Sequence, residues 1–288
     1  MTEMTKAFNK LKESFADHGE IVNQLDSVSI KEYEFESECI LQTDMQKVNE
    51  GNLYYHEMIG RNFIENQRFS YPVIFPEGPE KFSKGIFLFH GLNEKSWDKY
   101  LLWAAQLAYR MGRPVVLFPI AYHINRAPKL WSNPRVMKGA VKSRQNSNEE
   151  NKTTFANAAM SIRLSAYPEQ FIYSGVETFY DVRKLGLQIN RGNHPLFRSE
   201  AKMDVFAYSI GAFLSEILFI SNPENLFSGS KLFVFAGGPT FDTMQGTSRY
   251  IMDLKAFRSL LTLKRKKKLK QVFHYLASLG LPDFDNTW

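Results

Sequence analysis

The chain has 288 residues, 44% of them hydrophobic and 23% charged, a balance that excludes a disordered polymer and suffices to bury a substantial core. Its single cysteine, Cys39, excludes an intrachain disulfide and a thiolate metal cluster and fits a reducing, cytoplasmic compartment. The formal net charge is +6, and no run approaches the roughly 18 apolar residues of a membrane span.

Met1 to Glu20 is charged and amphipathic, with no apolar stretch followed by a small-residue cleavage site, so no secretory signal is expected. Within it, Ala7, Phe8, Leu11 and Phe15 mark an amphipathic helix over Thr5 to Asp17. Glu32 to Leu41 and Phe69 to Phe75 alternate as strands do, and Asn49-Glu50-Gly51-Asn52 between them marks a turn. Gly85 to Phe89 is a short continuous apolar run, the pattern of a strand buried on both faces. A helix follows from Trp97 to Arg110, with Ser96 as its expected N-cap and Gly112-Arg113-Pro114 as its stop. Pro114 to Pro119 is a second buried strand, and strand, helix, strand makes a βαβ unit with a parallel sheet.

Ala121 to Tyr167 breaks this rhythm and reads as an insertion or cap, since Ser143 to Thr154 is nearly free of apolar residues. A helix is expected over Pro168 to Asn190, a third buried strand over Lys202 to Tyr208, a helix over Ile210 to Ser221 and a fourth strand over Lys231 to Ala236. Residues 244–281 read as a C-terminal helical segment. It contains Lys264 to Lys268 and Lys270, a basic run that suits either a phosphate-rich partner or a solvated helix face. The whole is expected to be a single α/β domain spanning residues 1–288, with a mostly parallel sheet and helices on both faces.

Ala207-Tyr208-Ser209-Ile210-Gly211 lies between an apolar strand and an apolar helix, the context of the nucleophile elbow G-x-S-x-G with Ala207 in place of the first glycine. The helix directs unpaired N–H groups toward Ser209. Upstream, His90-Gly91 ends the Gly85 to Phe89 strand. Read structurally instead, Ser209 is a small residue in a tight strand-to-helix turn.

The ordered combination of His90-Gly91, the βαβ unit and the elbow resembles the α/β-hydrolase superfamily of esterases, lipases and peptidase-like serine hydrolases, over Gly85 to Gly238. The resemblance implies Ser209 as nucleophile and the backbone N–H groups of Leu92 and Ile210 as oxyanion donors. It also implies a substrate-contacting role for His90, Gly91, His123 and Tyr208, with a small ester or amide as substrate. In that family the acid and then the histidine follow the serine in the chain. Asp242, just past the fourth strand, is the candidate acid, or else a turn or N-cap residue. His274 is the only histidine after Ser209 and sits in a helical pattern, whereas the family carries its base on a loop. Two explanations fit: a C-terminally shortened relative, or a hydrolase-fold protein that binds without catalysis, since serine without a general base is a poor nucleophile. His194, in Gly192-Asn193-His194-Pro195, reads as structural.

No P-loop, no G-x-G-x-x-G after a strand, no H-E-x-x-H and no calcium-loop pattern occurs; Asp283-Phe284-Asp285 lacks the rest of the last. No metal or cofactor is expected, nor a nucleic-acid partner, because aromatic and basic residues are not interleaved.

Overall fold

A computed structural model describes residues 9, 12, 21–25, 28–39, 63–145, 152–237 and 243–265 of the chain. The expected helix Thr5 to Asp17 (but for residues 9 and 12), the turn at 49–52, Asp242, His274 and the basic run beyond Arg265 lie outside these residues. The chain divides into two compact units.

The first unit, among the described residues, takes in 9, 12, 21–25, 28–39, 63–127, 175–237 and 243. Its strands are β1 (Ile21–Leu25), β2 (Val28–Glu36), β3 (Arg68–Pro76), β4 (Phe82–Phe89), β5 (Val115–Leu117), β6 (Phe197–Tyr208) and β7 (Leu232–Phe235). They form one seven-stranded sheet in the order β1-β2-β3-β5-β4-β6-β7. Strands β5, β4, β6 and β7 are mutually parallel, whereas β1 to β3 pair antiparallel with their neighbours and β3 pairs antiparallel with β5. The sheet is therefore mixed, not mostly parallel. The βαβ signal begins at Gly85, and antiparallel strands before it need no helical crossover to betray their direction.

Alternation along β4 builds two cores. Phe87 and Phe89 enter one with Val116, Phe118, Phe179 and Val182, while Ile86 and Leu88 enter the other with Val115, Leu117, Leu101 and Ala104. The second core is covered by α2 (Asp98–Met111), which buries Tyr100, Leu101, Ala104, Ala105 and Ala108 at helical spacing. This helix ends at Gly112, whose φ of 61° suits a residue without a Cβ. It begins one residue after the expected start; its N-cap is Trp97, not Ser96. A single turn, α1 (Ile64–Gln67), precedes β3.

The first core is covered by α5 (Gln170–Asn190) and α6 (Ile210–Ser221), so helices lie on both faces of the sheet. The two last strands depart from expectation. In β6, Ala201, Met203, Val205 and Ala207 are buried, but Asp204, Phe206 and Tyr208 on the opposite face are only half-buried. In β7, Phe233, Val234 and Phe235 are exposed. Neither is a strand buried on both faces, because among the described residues β7 is the sheet's edge and pairs with β6 alone.

The second unit, among the described residues, takes in 128–145, 152–174 and 244–265. Its helices are α3 (Pro134–Gln145), α4 (Ala158–Ala166) and α7 (Leu254–Arg265), with the first residues of α5. The irregular insertion expected over Ala121 to Tyr167 thus carries two helices: α3 is polar overall yet buries Met137, Val141 and Arg144 at spacings of three and four. The helical segment expected from residue 244 starts only at Leu254. Asp253 anchors this unit. It takes Arg144 at 2.7 and 2.8 Å and the Thr153 hydroxyl at 2.8 Å, and accepts the Ala256 N–H at 2.9 Å as a helix cap. Arg163 stacks on Trp131 at 3.8 Å. Among the described residues no helix is long and apolar enough to cross a membrane.

Candidate active site

The chain leaves β6 through Ser209 and enters α6 at Ile210 without an intervening loop. Ser209 makes that turn with φ 54° and ψ −117°, a region that a side-chain-bearing residue rarely occupies and that costs on the order of 1–3 kcal/mol. Neighbouring backbone holds it there: the Ser209 N–H donates to the Phe235 carbonyl at 3.1 Å, and its carbonyl accepts the Ala212 N–H at 2.9 Å. Gly211 permits the helix to start so close to the sheet. A Cβ on it would stand 2.8 Å from the Phe89 carbonyl oxygen and 3.0 Å from that of His90. Ala207, the residue in place of the first glycine, is fully buried in the first core. The Ser209 side chain itself is half-buried.

Strands β4 and β6 are adjacent and parallel, with Phe89 opposite Ala207. Their C-terminal ends therefore bring His90-Gly91-Leu92 beside Tyr208-Ser209-Ile210. A Cβ on Gly91 would meet the Tyr208 ring at 2.9 Å, so only glycine fits this approach. The His90 Nδ1 lies 2.7 Å from the Gly91 carbonyl oxygen and donates to it, and Nε2 accepts the Ile120 N–H at 2.9 Å. Burial pushes His90 down to about 4, helped by the Lys99 and Arg126 charges and opposed by its bond to Gly91. The imidazole is neutral near pH 7, with both nitrogens committed to backbone, and is no general base. The Gly91 N–H donates to the Tyr100 hydroxyl at 2.8 Å, which in turn donates to Glu94 Oε1 at 2.8 Å. Glu94 pairs with Lys99, whose ammonium sits 4.3 Å from the centre of the Tyr208 ring.

His123 follows β5, also at a C-terminal strand end. It is buried, its Nδ1 lies 2.9 Å from the Ala121 carbonyl, and its ring centre is 5.2 Å from that of His90. The stretch leading to it rests on a buried polar network. Asn66 accepts from the Tyr122 N–H and Arg126 Nε at 3.1 Å each, and donates to Glu177 at 2.8 Å. The Tyr122 hydroxyl donates to Glu177 at 3.1 Å, and Arg126 pairs with Asp181 at 2.8 Å. Burial raises Glu177 to about 7, against the hydrogen bonds from Asn66 and Tyr122 and the charge of Arg126, with Asp181 adding to the rise. It raises Asp181 as well, although Arg126 and Ser37 oppose it.

Ser209, Ile210, Gly91, His90 and Tyr208 thus share one sheet end with Leu92 and His123. Asp242 and His274 lie outside the described residues. His194 is held by backbone and ring partners: Leu196 N–H donates to its Nδ1 at 3.1 Å, and Nε2 lies 3.1 Å from the Tyr71 hydroxyl. Sequence reasoning missed Tyr100 and Glu94. Tyr100 falls on the apolar stripe of α2 and reads as core; only its hydroxyl, six residues past a loop carboxylate, hinted otherwise. Asn66, Arg126 and Glu177 lie on three separated segments and carry no local signal. Among the described residues, no group of three His, Cys, Asp or Glu is placed to hold a metal ion.

A family model described as a family of unknown function, DUF6051, matches residues 2–271. The chain belongs to that family. Ser209, Leu92, Ile210 and Asp242 lie within the matched span, and His274 lies beyond it. No curated protein matches the chain. Among solved structures it is similar to a mutant of the esterase rPPE, at 10% identity and a TM-score of 0.38, over 91% of this chain and 60% of that one. ESTFA in its FE-lacking apo form is similar at 15% identity and a TM-score of 0.32, over 90% and 63% respectively. Esterase Est22 follows at 14% identity and a TM-score of 0.26, over 94% and 87%. The chain spans less than two thirds of the length of the first two, and at such TM-scores these likenesses add no weight to any residue of the site.

Proposed function

We propose that the chain is a serine hydrolase of the α/β-hydrolase type, cleaving an ester or amide through Ser209, with the Leu92 and Ile210 N–H groups as oxyanion donors. The observation that carries this reading is the backbone of Ser209, strained at φ 54° and ψ −117° on a strand-to-helix turn that Gly211 alone makes possible. Such strain is retained where it exposes a side chain for use. Ile210 opens α6 and Leu92 follows the end of β4, so in this reading their N–H groups would meet the developing negative charge. Asp242 and His274 are the proposed acid and base, in the family's chain order.

The second reading is a non-catalytic binding protein on the same fold. It is favoured by His90, the histidine at the elbow's neighbouring strand end, whose ring nitrogens are both bonded to backbone. Fluorophosphonate labelling of the purified chain, read by intact mass beside Ser209→Ala, separates the two. Labelling of the wild type alone is expected. A folded wild-type chain that takes no label would put the binding reading first.

A further inference from the structure

We propose that Tyr100 and His90 are positioning residues that together set the direction of the Leu92 N–H; this rests on the reading of Ser209 as nucleophile. Gly91 stands between two peptide groups, and each is held by a side chain. The N–H of the first donates to the Tyr100 hydroxyl at 2.8 Å. The carbonyl of the second accepts from His90 Nδ1 at 2.7 Å. A peptide group is planar and trans, so the Leu92 N–H points opposite to the Gly91 carbonyl. Holding that carbonyl therefore aims that donor.

Each holding side chain is itself held. His90 Nε2 accepts the Ile120 N–H at 2.9 Å, which fixes the ring and assigns its proton to Nδ1. Tyr100 has one hydroxyl hydrogen and gives it to Glu94 Oε1 at 2.8 Å, leaving the oxygen to accept from Gly91. Its ring is fully buried, with Trp97, Trp103 and Tyr208 around it. The pivot is a glycine, the residue with the widest backbone freedom, because the Tyr208 ring excludes a Cβ. Two hydrogen bonds on either side of its Cα remove that freedom. They also commit the Gly91 N–H to Tyr100, so Leu92 is the donor this loop offers.

Tyr100→Phe keeps the ring and removes only the acceptor. The full chain is titrated with a fluorophosphonate, and intact mass gives the limiting labelling rate and the half-saturating probe concentration. The limiting rate should fall by about 10- to 100-fold, the scale of a small misplacement of a reacting group. The half-saturating concentration should not move, because an oxyanion donor acts in the transition state rather than the ground state. His90→Asn places an amide N–H near the Nδ1 position and His90→Gln near Nε2, so the Asn variant should label faster. Far-UV circular dichroism selects the variants that are folded. A folded Tyr100→Phe chain labelling at the wild-type limiting rate would overturn the proposal, as would a loss confined to the half-saturating concentration. A wild-type chain that never labels at Ser209 gives a different failure, that of the nucleophile reading itself.

Discussion

Strands β4 and β7 are nearly the same string of residues in opposite surroundings. Gly85-Ile86-Phe87-Leu88-Phe89 and Lys231-Leu232-Phe233-Val234-Phe235 alternate aromatic and aliphatic residues alike, yet Leu88 and Phe89 are fully buried while Phe233 is 58% exposed. The difference is position: β4 has β5 on one side and β6 on the other, with helices over both faces, whereas β7 closes the sheet beside β6. An apolar run makes a strand; its neighbours decide whether the strand becomes core. The largest expected effect follows from β4. Phe89→Ala removes a ring packed at 5.8 Å from Phe87 in a fully buried site. It should cost about 3–5 kcal/mol in urea unfolding, through lost transfer energy and the cavity left behind. A cost below about 1 kcal/mol would mean that β4 is not the centre of this core.

A smaller effect belongs to the buried network beside β5. Glu177 titrates at about 7 in the folded chain against an ordinary 4.5, so between those values the folded state holds a proton that the unfolded state has released. Its contribution to stability is therefore fully present below about pH 4.5 and is lost as pH rises through 7. Glu177→Gln cannot titrate, and its amide can still bond Asn66 and Tyr122. The stability of the wild type relative to this variant should fall steadily from pH 4.5 to 7 and then level off. His90 and His194, both pushed down to about 4, shift stability the other way on acidification, but both chains share them and the difference cancels them. A flat difference across that range would show that Glu177 stays charged in the fold.

Much of this architecture is legible in the sequence wherever a local pattern carries it. The helix Ile210 to Ser221 is read to the residue, since a strand ends at Tyr208 and an apolar helix starts at once. The β4 and β5 strands and the α2 helix between them are read to within a few residues, because their apolar runs and Gly112 are local signals. The antiparallel register of β2 on β3, from Val28 opposite Pro76 to Glu36 opposite Arg68, joins segments about thirty residues or more apart and has no local signature. At the candidate site, Ser209 and Gly91 are visible as motif residues. The Tyr100 and Glu94 bonds are not, because a hydroxyl at the tip of a core-facing ring leaves no trace in hydrophobic periodicity.

The smallest expected effect is the sharpest probe of the comparison. Phe233→Thr sits on the exposed edge strand, where the ring's packing partner is Phe206 at 5.2 Å between centres. Threonine introduces a β-branched side chain suited to a strand. Stability should change by no more than about 0.5 kcal/mol, the range of surface substitutions away from special features. Recovery of soluble chain should rise, because an apolar edge strand without charge or proline is a template for pairing with another chain. A loss of about 2 kcal/mol or more would break the comparison. Phe233 would then be covered in solution as Phe89 is in the core, and β7 would be an inner strand of a larger sheet.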